Sequence, residues 1–396
     1  MVAGLGVLST DDPTWALVAS SAVVACAVAH TVANIVPSIY LAIPEGDTAL
    51  SVLPGHRMVM AGRGEEALRV SVTSSIASLA IALALVVPLA YVMGPPLGLY
   101  EVAMTLMGPF LLGASAYMML KESEKGQGPD RLGGWRGAAA ALVVFVASGA
   151  LGHLALFQAG LVVPLFIGLF GVPMIIIALQ RKQELPEPGP PIKVRNVPGP
   201  PWGSVLLGSL AGSLVGWFPG ISSAQATILA VTGGAHGDDD MDGARRFIAG
   251  VSAVNTANAI FTLVALATIL RVRSGATAAV RDLMAWEVAP WSSGIAPGPD
   301  IVSLLISATV GGLIAAPVTI FVGRRLEEAL PILSAKWFLT MVLAVLVFMA
   351  TVTGGPTAII VLITASGLGM IPPALGLMRV HLMGAVALPL AMGLLV

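Results

Sequence analysis

The chain alternates between long apolar stretches and short loops that carry almost all of its charge. Most stretches approach or exceed the roughly 20 apolar residues that a membrane-spanning helix needs. The short alternating segments of about ten residues that are typical of a membrane β-barrel are not evident. The pattern therefore predicts an all-α integral membrane protein. We distinguish ten or eleven stretches, at residues 14–43, 69–93, 97–120, 137–156, 159–180, 203–233, 247–270, 299–322, 337–353, 355–372 and 380–396.

The composition supports this prediction, because 57% of the residues are hydrophobic and only 10% are charged. A soluble globular protein carries about 25% charged residues, which it needs to cover a surface facing water. Windows such as 13–44 and 337–378 contain no Asp, Glu, Lys or Arg. The net charge of −1 shows none of the excess positive charge that is typical of nucleic-acid-binding proteins. We expect a multi-pass protein of the plasma membrane, in contact with membrane lipids and not with nucleic acid.

A Pro-rich segment at residues 183–201 divides the chain into two parts and is typical of an extended linker. The parts, residues 1–182 and 202–396, each open with a Trp and a stretch rich in small residues. Each part holds about five apolar stretches, and an odd number places two repeats in opposite orientations. The sequence predicts two inverted repeats.

The spacing of two helix openings supports the repeat. Pro37 precedes the serine-rich opening at Ser71 by 34 positions, and Pro219 precedes the opening at Ser252 by 33 positions. Because a Pro within an apolar stretch breaks a helix, each repeat is expected to begin with a broken or re-entrant helix. Such a break survives in a membrane only where it is buried in protein or lines a cavity.

The two Pro motifs are the first candidate site. A half-helix that starts after a break points free N–H groups and a positive dipole end into the protein, which suits an anion. The alternative is an ordinary kink whose hydroxyls bond back to their own helix. The presence of two matching motifs favours substrate binding. The predicted substrate-binding residues here are Asn34, Pro37, Ser38, Pro219, Gly220, Ser222, Ser223 and Gln225.

Two further groups of polar residues are candidates. Asn255, Thr256 and Asn258 lie in a charge-free helix, where amides face a partner helix or a cavity, so helix packing and substrate binding both remain open. The Gly- and Pro-rich loop at residues 45–68 is either a solvated loop or the mouth of the cavity. Its candidate residues for the mouth are Glu45, Asp47, Thr48, His56, Arg57 and Arg63.

Enzyme signatures are missing from the sequence. It has no G-x-x-x-x-G-K-[ST] motif, no H-E-x-x-H motif and no Cys/His cluster, so we expect no metal and no cofactor. The charge-free windows hold no pair of acids for an intramembrane lipid-processing enzyme, which is the alternative from another class. We therefore predict a secondary transporter and not an enzyme.

The coupling ion is expected to be sodium or a proton. Proton-driven carriers usually need a titrating group within the membrane, and no carboxylate lies well inside any apolar stretch. His30 is the candidate proton relay, one helical turn before Asn34. Sodium needs only oxygen atoms, which broken helices and their Ser, Thr and Asn residues supply. The balance favours sodium.

These motifs resemble those of the large permease subunit of tripartite tricarboxylate transporters, the TctA family, and of its shorter archaeal relatives in particular. The resemblance covers nearly the whole chain. It departs from the family at Ser38, where a Gly is usual, and in its shorter length. The residues that carry it are Pro37-Ser38, Pro54-Gly55-His56-Arg57-Met58, Gly62-Arg63-Gly64-Glu65-Glu66-Ala67-Leu68 and Pro219-Gly220.

The resemblance implies two repeats that carry an organic anion of the carboxylate type by alternating access. Its partners would be a small membrane subunit, a binding protein or a second copy of the chain. The Pro-Gly-Ile-Ser run from Pro219 also resembles the breaks of the polyprenyl-phosphate flippase family. A lipid phosphate is therefore the alternative substrate.

Overall fold

The computed structural model describes residues 12–40, 52–124, 132–158, 160–180, 199–218, 223, 226–227, 241–291, 296–333 and 336–395. Every regular element in these ranges is helical. The helices are α1 (Pro13–Ala33), α2 (Ile35–Tyr40), α3 (Val52–Met60), α4 (Gly64–Met93), α5 (Leu99–Ser123), α6 (Gly134–Ala155), α7 (Val162–Phe166), a π-helical turn (Ile167–Gly171), α8 (Val172–Gln180), α9 (Trp202–Val215), α10 (Met241–Ile269), α11 (Gly275–Leu283), α12 (Pro299–Leu333), α13 (Lys336–Leu375), a 3-10 turn (Arg379–Met383) and α14 (Gly384–Leu395).

Seven helical stretches in the described ranges are long and apolar enough to cross a membrane. Three shorter apolar helices accompany them, at Val162–Ile177, Trp202–Val215 and Arg379–Leu394. The prediction of an all-α integral membrane protein is confirmed. The long stretches are Pro13–Tyr40, Gly64–Met93, Leu99–Ser123, Gly134–Ala155, Met241–Ile269, Pro299–Glu327 and Leu339–Leu375.

The chain forms two compact units, and each contains residues from both predicted repeats. The first unit comprises Met1–Ala42, Asp47–Val102 and Leu185–Leu330, and the second comprises Ile43–Gly46, Ala103–Glu184 and Pro331–Val396. The division at residues 183–201 and the inversion of the repeats remain predictions, and most of that linker lies outside the described residues.

In the first unit, α9 packs against α10 at very short range because glycines line the contact. A Cβ atom at Gly212 would lie 2.2 Å from the carbonyl oxygen of Val254, and one at Gly208 would lie 2.7 Å from that of Gly250. Small residues allow helix backbones to approach closely. In a membrane the hydrophobic effect does not drive helices together, so they associate through such close van der Waals packing. This contact fixes the position of α10 beside the end of α9.

In the second unit, α13 is interrupted at Gly355, whose φ of 63° and ψ of −154° are not helical. This positive φ suits glycine, and Pro356 follows it. The interruption falls where the sequence separates the stretches at 337–353 and 355–372. It divides the long helix into two arms.

A buried carboxylate joins two elements of the second unit. Glu122, at the end of α5, accepts the backbone N–H of Met378 at 2.7 Å and lies 3.1 Å from Nε2 of His381. Both side chains are almost fully buried. The carboxylate therefore holds the 3-10 turn against the end of α5.

Candidate functional site

The first helix interruption lies at Asn34, between α1 and α2. Pro37 explains its position, since a residue without an N–H cannot donate to the carbonyl of Ala33 one turn earlier. Asn34 adopts φ −64° and ψ −13°, so the chain bends only slightly before α2 begins. Asn34 and Ser38 are both buried, and Pro37 is partly exposed.

The second interruption follows α9, which ends at Val215 before a turn at residues 216–218. The guanidinium of Arg273 donates to the carbonyl oxygen of Val215 at 3.1 Å, so a cation caps the negative end of this helix. Burial lowers the pKa of Arg273 to about 10, so it stays charged at neutral pH. Ser223 and Thr227 beyond the turn are helical and buried. The predicted site residues Pro219, Gly220, Ser222 and Gln225 lie outside the described residues.

Helix α10 contacts both interrupted segments through two asparagines. Nδ2 of Asn255 lies 3.4 Å from Oδ1 of Asn34, and Nδ2 of Asn258 lies 3.3 Å from Oγ of Ser223. The two asparagines are three residues apart, which corresponds to about 4.5 Å along a helix. The structure therefore brings four of the predicted substrate-binding residues together around one turn of α10.

Several polar atoms near this turn are buried and have no hydrogen-bond partner within the described part of the chain. They are Oγ1 of Thr256, Oδ1 of Asn258 and Nε1 of Trp217. A buried polar group without a partner costs about 1–3 kcal/mol, so such groups are uncommon unless a ligand or water satisfies them. Their presence near one turn makes this turn the candidate site.

Trp217 is the most informative of these residues. It lies in the turn after α9, is fully buried, and its ring centroid is 6.2 Å from that of Phe261, one helical turn beyond Asn258 on α10. The indole N–H can only donate a hydrogen bond. It therefore suits an oxygen atom of an anion.

The candidate cavity mouth is only partly described. Glu45, Asp47 and Thr48 lie outside the described residues, as does the side chain of His56. Arg57 is exposed near the end of α3.

Arg63, the remaining candidate for the mouth, donates to the buried carboxylate of Glu66 at 2.6 Å. This hydrogen bond raises the pKa of Arg63. Arg245 of α10 lies 3.1 Å from the other oxygen of Glu66. Arg63 is thus part of an ion-pair cluster that ties the starts of α4 and α10 together.

His30 is exposed, and its backbone carbonyl accepts the N–H of Asn34 at 2.9 Å. Within the described ranges, no group of three or more His, Cys, Asp or Glu side chains is arranged to hold a metal ion.

Sequence reasoning did not select Trp217, Ser74 or Ser75. The serine-rich run from Ser71 contains both serines, but a sequence does not reveal which hydroxyls lack a partner in the fold. Trp217 precedes Pro219 by two positions, and its indole N–H next to a predicted break was the available signal.

Comparison with known proteins gives one family and one relative. The model of the tripartite tricarboxylate transporter TctA family matches residues 7–384. An uncharacterized protein of Methanocaldococcus jannaschii is 24% identical over 295 residues, which cover 72% of this chain and 66% of that protein, just under two thirds of its length. No solved structure gives a significant match.

Proposed function

Because the chain belongs to the tripartite tricarboxylate transporter TctA family, we propose that it is a secondary transporter that carries an organic anion of the carboxylate type across the membrane by alternating access. The family is one of transporters and not of enzymes. The chain is a multi-pass protein of the plasma membrane, in keeping with the seven helical stretches in its described ranges that are long and apolar enough to cross a membrane.

One observation supports this proposal above all: a single turn of α10 contacts both interrupted segments, through Asn255 to Asn34 and through Asn258 to Ser223. An anion that binds here would contact both segments at once. Its binding would then be sensitive to any movement of one segment relative to the other, which alternating access requires.

The chemistry of this turn suits a carboxylate. Trp217 offers an indole N–H that has no acceptor among the described residues. The two asparagines offer amide N–H groups whose present hydrogen bonds, at 3.3–3.4 Å, are long. An N–H group that makes a long hydrogen bond, or none, loses little free energy when it donates to a carboxylate oxygen instead. No Lys or Arg lies in the charge-free window at residues 247–270 of this helix, so polar donors would bind the anion here.

We further propose that transport is coupled to a cation, with sodium favoured over a proton, for the reasons that the sequence gives. The name of the family points to a three-part system. A small membrane subunit and a binding protein are therefore the proposed partners, and a homodimer is the alternative assembly.

The proposal is tested by uptake of radiolabelled citrate into proteoliposomes, with thermal shifts of the purified protein against a panel of carboxylates. We expect at least one carboxylate to raise the unfolding temperature, because a ligand that binds only the folded state stabilises it. Asn255→Ala and Asn258→Ala should each lower uptake about tenfold or more, since each removes an amide N–H group that is proposed to bind the anion. Thr364→Val is the matched control, because Thr364 is exposed on α13 and bonds its own helix.

The same panel includes a polyprenyl phosphate. A thermal shift and flipping activity with this lipid, together with no response to any carboxylate, would replace the proposed substrate with a lipid phosphate. Uptake that both asparagine variants retain at the wild-type level would contradict the assignment of the site.

A further inference from the structure

Two helices of the first unit cross at a buried surface lined with serines. Oγ of Ser71 lies 2.8 Å from Oγ of Ser252, and Oγ of Ser78 donates to the carbonyl of Ala253 at 2.7 Å. These contacts are seven residues apart on α4, which is about 10 Å, so the two helices pack against each other along this stretch.

Three further hydroxyls lie at the crossing. Ser74 and Ser75 lie between Ser71 and Ser78 on the same face of α4. Thr256 follows Ser252 by four positions, so it projects from the face of α10 that meets α4. All three are fully buried.

None of these three hydroxyls has a hydrogen-bond partner in the described part of the molecule. Other hydroxyls of α10 behave differently. Ser252 bonds the carbonyl of Ile248 at 2.8 Å, and Thr268 bonds that of Val264 at 2.8 Å. Because a buried unpartnered hydroxyl costs about 1–3 kcal/mol, three at one crossing indicate that something binds between them.

The chemistry of the three groups restricts the occupant. They offer only neutral oxygens, and the charge-free windows at residues 70–100 and 247–270 hold no carboxylate. A divalent cation would need carboxylates to offset its charge. We propose that Ser74, Ser75 and Thr256 form a binding site for a monovalent cation, with Na⁺ as the expected ion.

The position of this site gives it a role in the proposed transport. Thr256 is adjacent to Asn255 and two residues before Asn258, so the ion would order the turn of α10 that contacts both interruptions. If the ion orders this turn, the anion loses less conformational entropy when it binds to the same turn. The ion and the anion would therefore bind cooperatively. Only this coupling role rests on the proposed function, because ion binding can be measured without any anion.

The experiment is a thermal-shift titration of the full-length purified protein with NaCl, with choline chloride replacing it at constant ionic strength and no carboxylate present. We expect NaCl to raise the unfolding temperature of the wild type relative to choline. In the double variant Ser75→Ala/Thr256→Val, the apparent affinity for Na⁺ should fall at least tenfold. Thr256→Ser, which keeps the hydroxyl, should retain the response.

Ser20→Ala is the matched control, since the hydroxyl of Ser20 is also fully buried and has no hydrogen-bond partner in the ranges that the structure describes. Ser20 lies on α1, far along the helix from Asn34. It should keep the full Na⁺ response. If Na⁺ and choline shift the unfolding temperature of the wild type equally, only water occupies the crossing. If the double variant keeps the full response to Na⁺, the ion binds elsewhere. Either result overturns the site.

The two proposals fail separately. A Na⁺ response that depends on Ser75 and Thr256, without uptake of any anion, would support the ion site and contradict the transport proposal. Anion uptake by a protein that shows no specific Na⁺ response would contradict the ion site alone.

Discussion

Helices α10 and α13 are both long and apolar, yet their surroundings are opposite. Of the most apolar 18-residue window in each, 83% is buried in α10 and 17% in the Leu339–Leu375 part of α13. Both windows lack strong charge, so composition does not separate them. The difference teaches that α10 is enclosed by protein, whereas most of α13 is exposed as a helix that faces lipid would be.

The hydroxyl groups of the two helices differ at one position, Thr256. On α13, Thr353, Thr357 and Thr364 each bond a carbonyl of their own helix, at 2.8–3.0 Å. This arrangement suits a helix in lipid, which offers no other partner. On α10, Ser252, Thr262 and Thr268 bond their own helix in the same way, whereas the hydroxyl of Thr256 has no hydrogen-bond partner within the described part of the chain.

The largest expected effect comes from adding one methyl group at Gly212, on the face of α9 that packs against α10, and one at Gly367 on α13. Gly212→Ala should destabilise the protein by about 1–3 kcal/mol, because the new Cβ would lie 2.2 Å from the carbonyl oxygen of Val254 on α10. Gly367→Ala on α13 is the matched control, since its Cβ meets nothing within 4 Å. It should be neutral or stabilise by up to about 1 kcal/mol through helix propensity. Thermal unfolding in detergent measures both, and equal effects would contradict the difference in burial.

A smaller effect is expected from removing one donor at the interruption after α9. Trp217→Phe should raise the KM for the anion by about three- to tenfold while kcat changes little, because the variant loses one hydrogen bond to the substrate. It should also reduce the thermal shift that the anion produces. Trp202→Phe is the control, because Trp202 is 58% exposed.

An unchanged KM in Trp217→Phe, alongside lower thermal stability, would show that the indole only packs against Phe261. The thermal shift separates the two cases, since a packing role leaves the response to the anion intact.

The smallest effect is expected at His30. If sodium drives transport, uptake should depend on a sodium gradient, vary little between pH 6 and 8, and persist in His30→Ala. His30 lies at an exposed position on α1. Uptake driven by a pH gradient in sodium-free liposomes, and abolished in His30→Ala, would identify the proton as the coupling ion.

Much of the candidate site could be predicted because helix breaks are local. Pro37 predicted an interruption that occurs three residues earlier, at Asn34, since a proline deprives the carbonyl of the preceding turn of its donor. The spacing also predicted that Ser71 and Ser252 occupy equivalent places in two repeats. The two serines contact each other, and both the repeats and their inversion stay predictions.

The rest could not be predicted because it depends on contacts between distant residues. Asn255 had two open interpretations, packing or binding, until its contact with Asn34 was known. Arg63 was a candidate for the cavity mouth, but its partner Glu66 also binds Arg245 from a distant part of the chain. Neither the contact between Asn34 and Asn255 nor that between Glu66 and Arg245 has a local signal in the sequence. Both depend on how helices that are distant in the chain pack together.

The sequence by itself determined the membrane location, the helical class, the positions of the apolar stretches and the interruption beside Pro37. These follow from the cost of burying charge in lipid and from the missing N–H of proline, which act within a few residues. Only the tertiary structure decided which apolar helix is enclosed and which hydroxyls lack a partner. Such properties arise when helices far apart in the chain cross, as α4 and α10 do at Ser71 and Ser252.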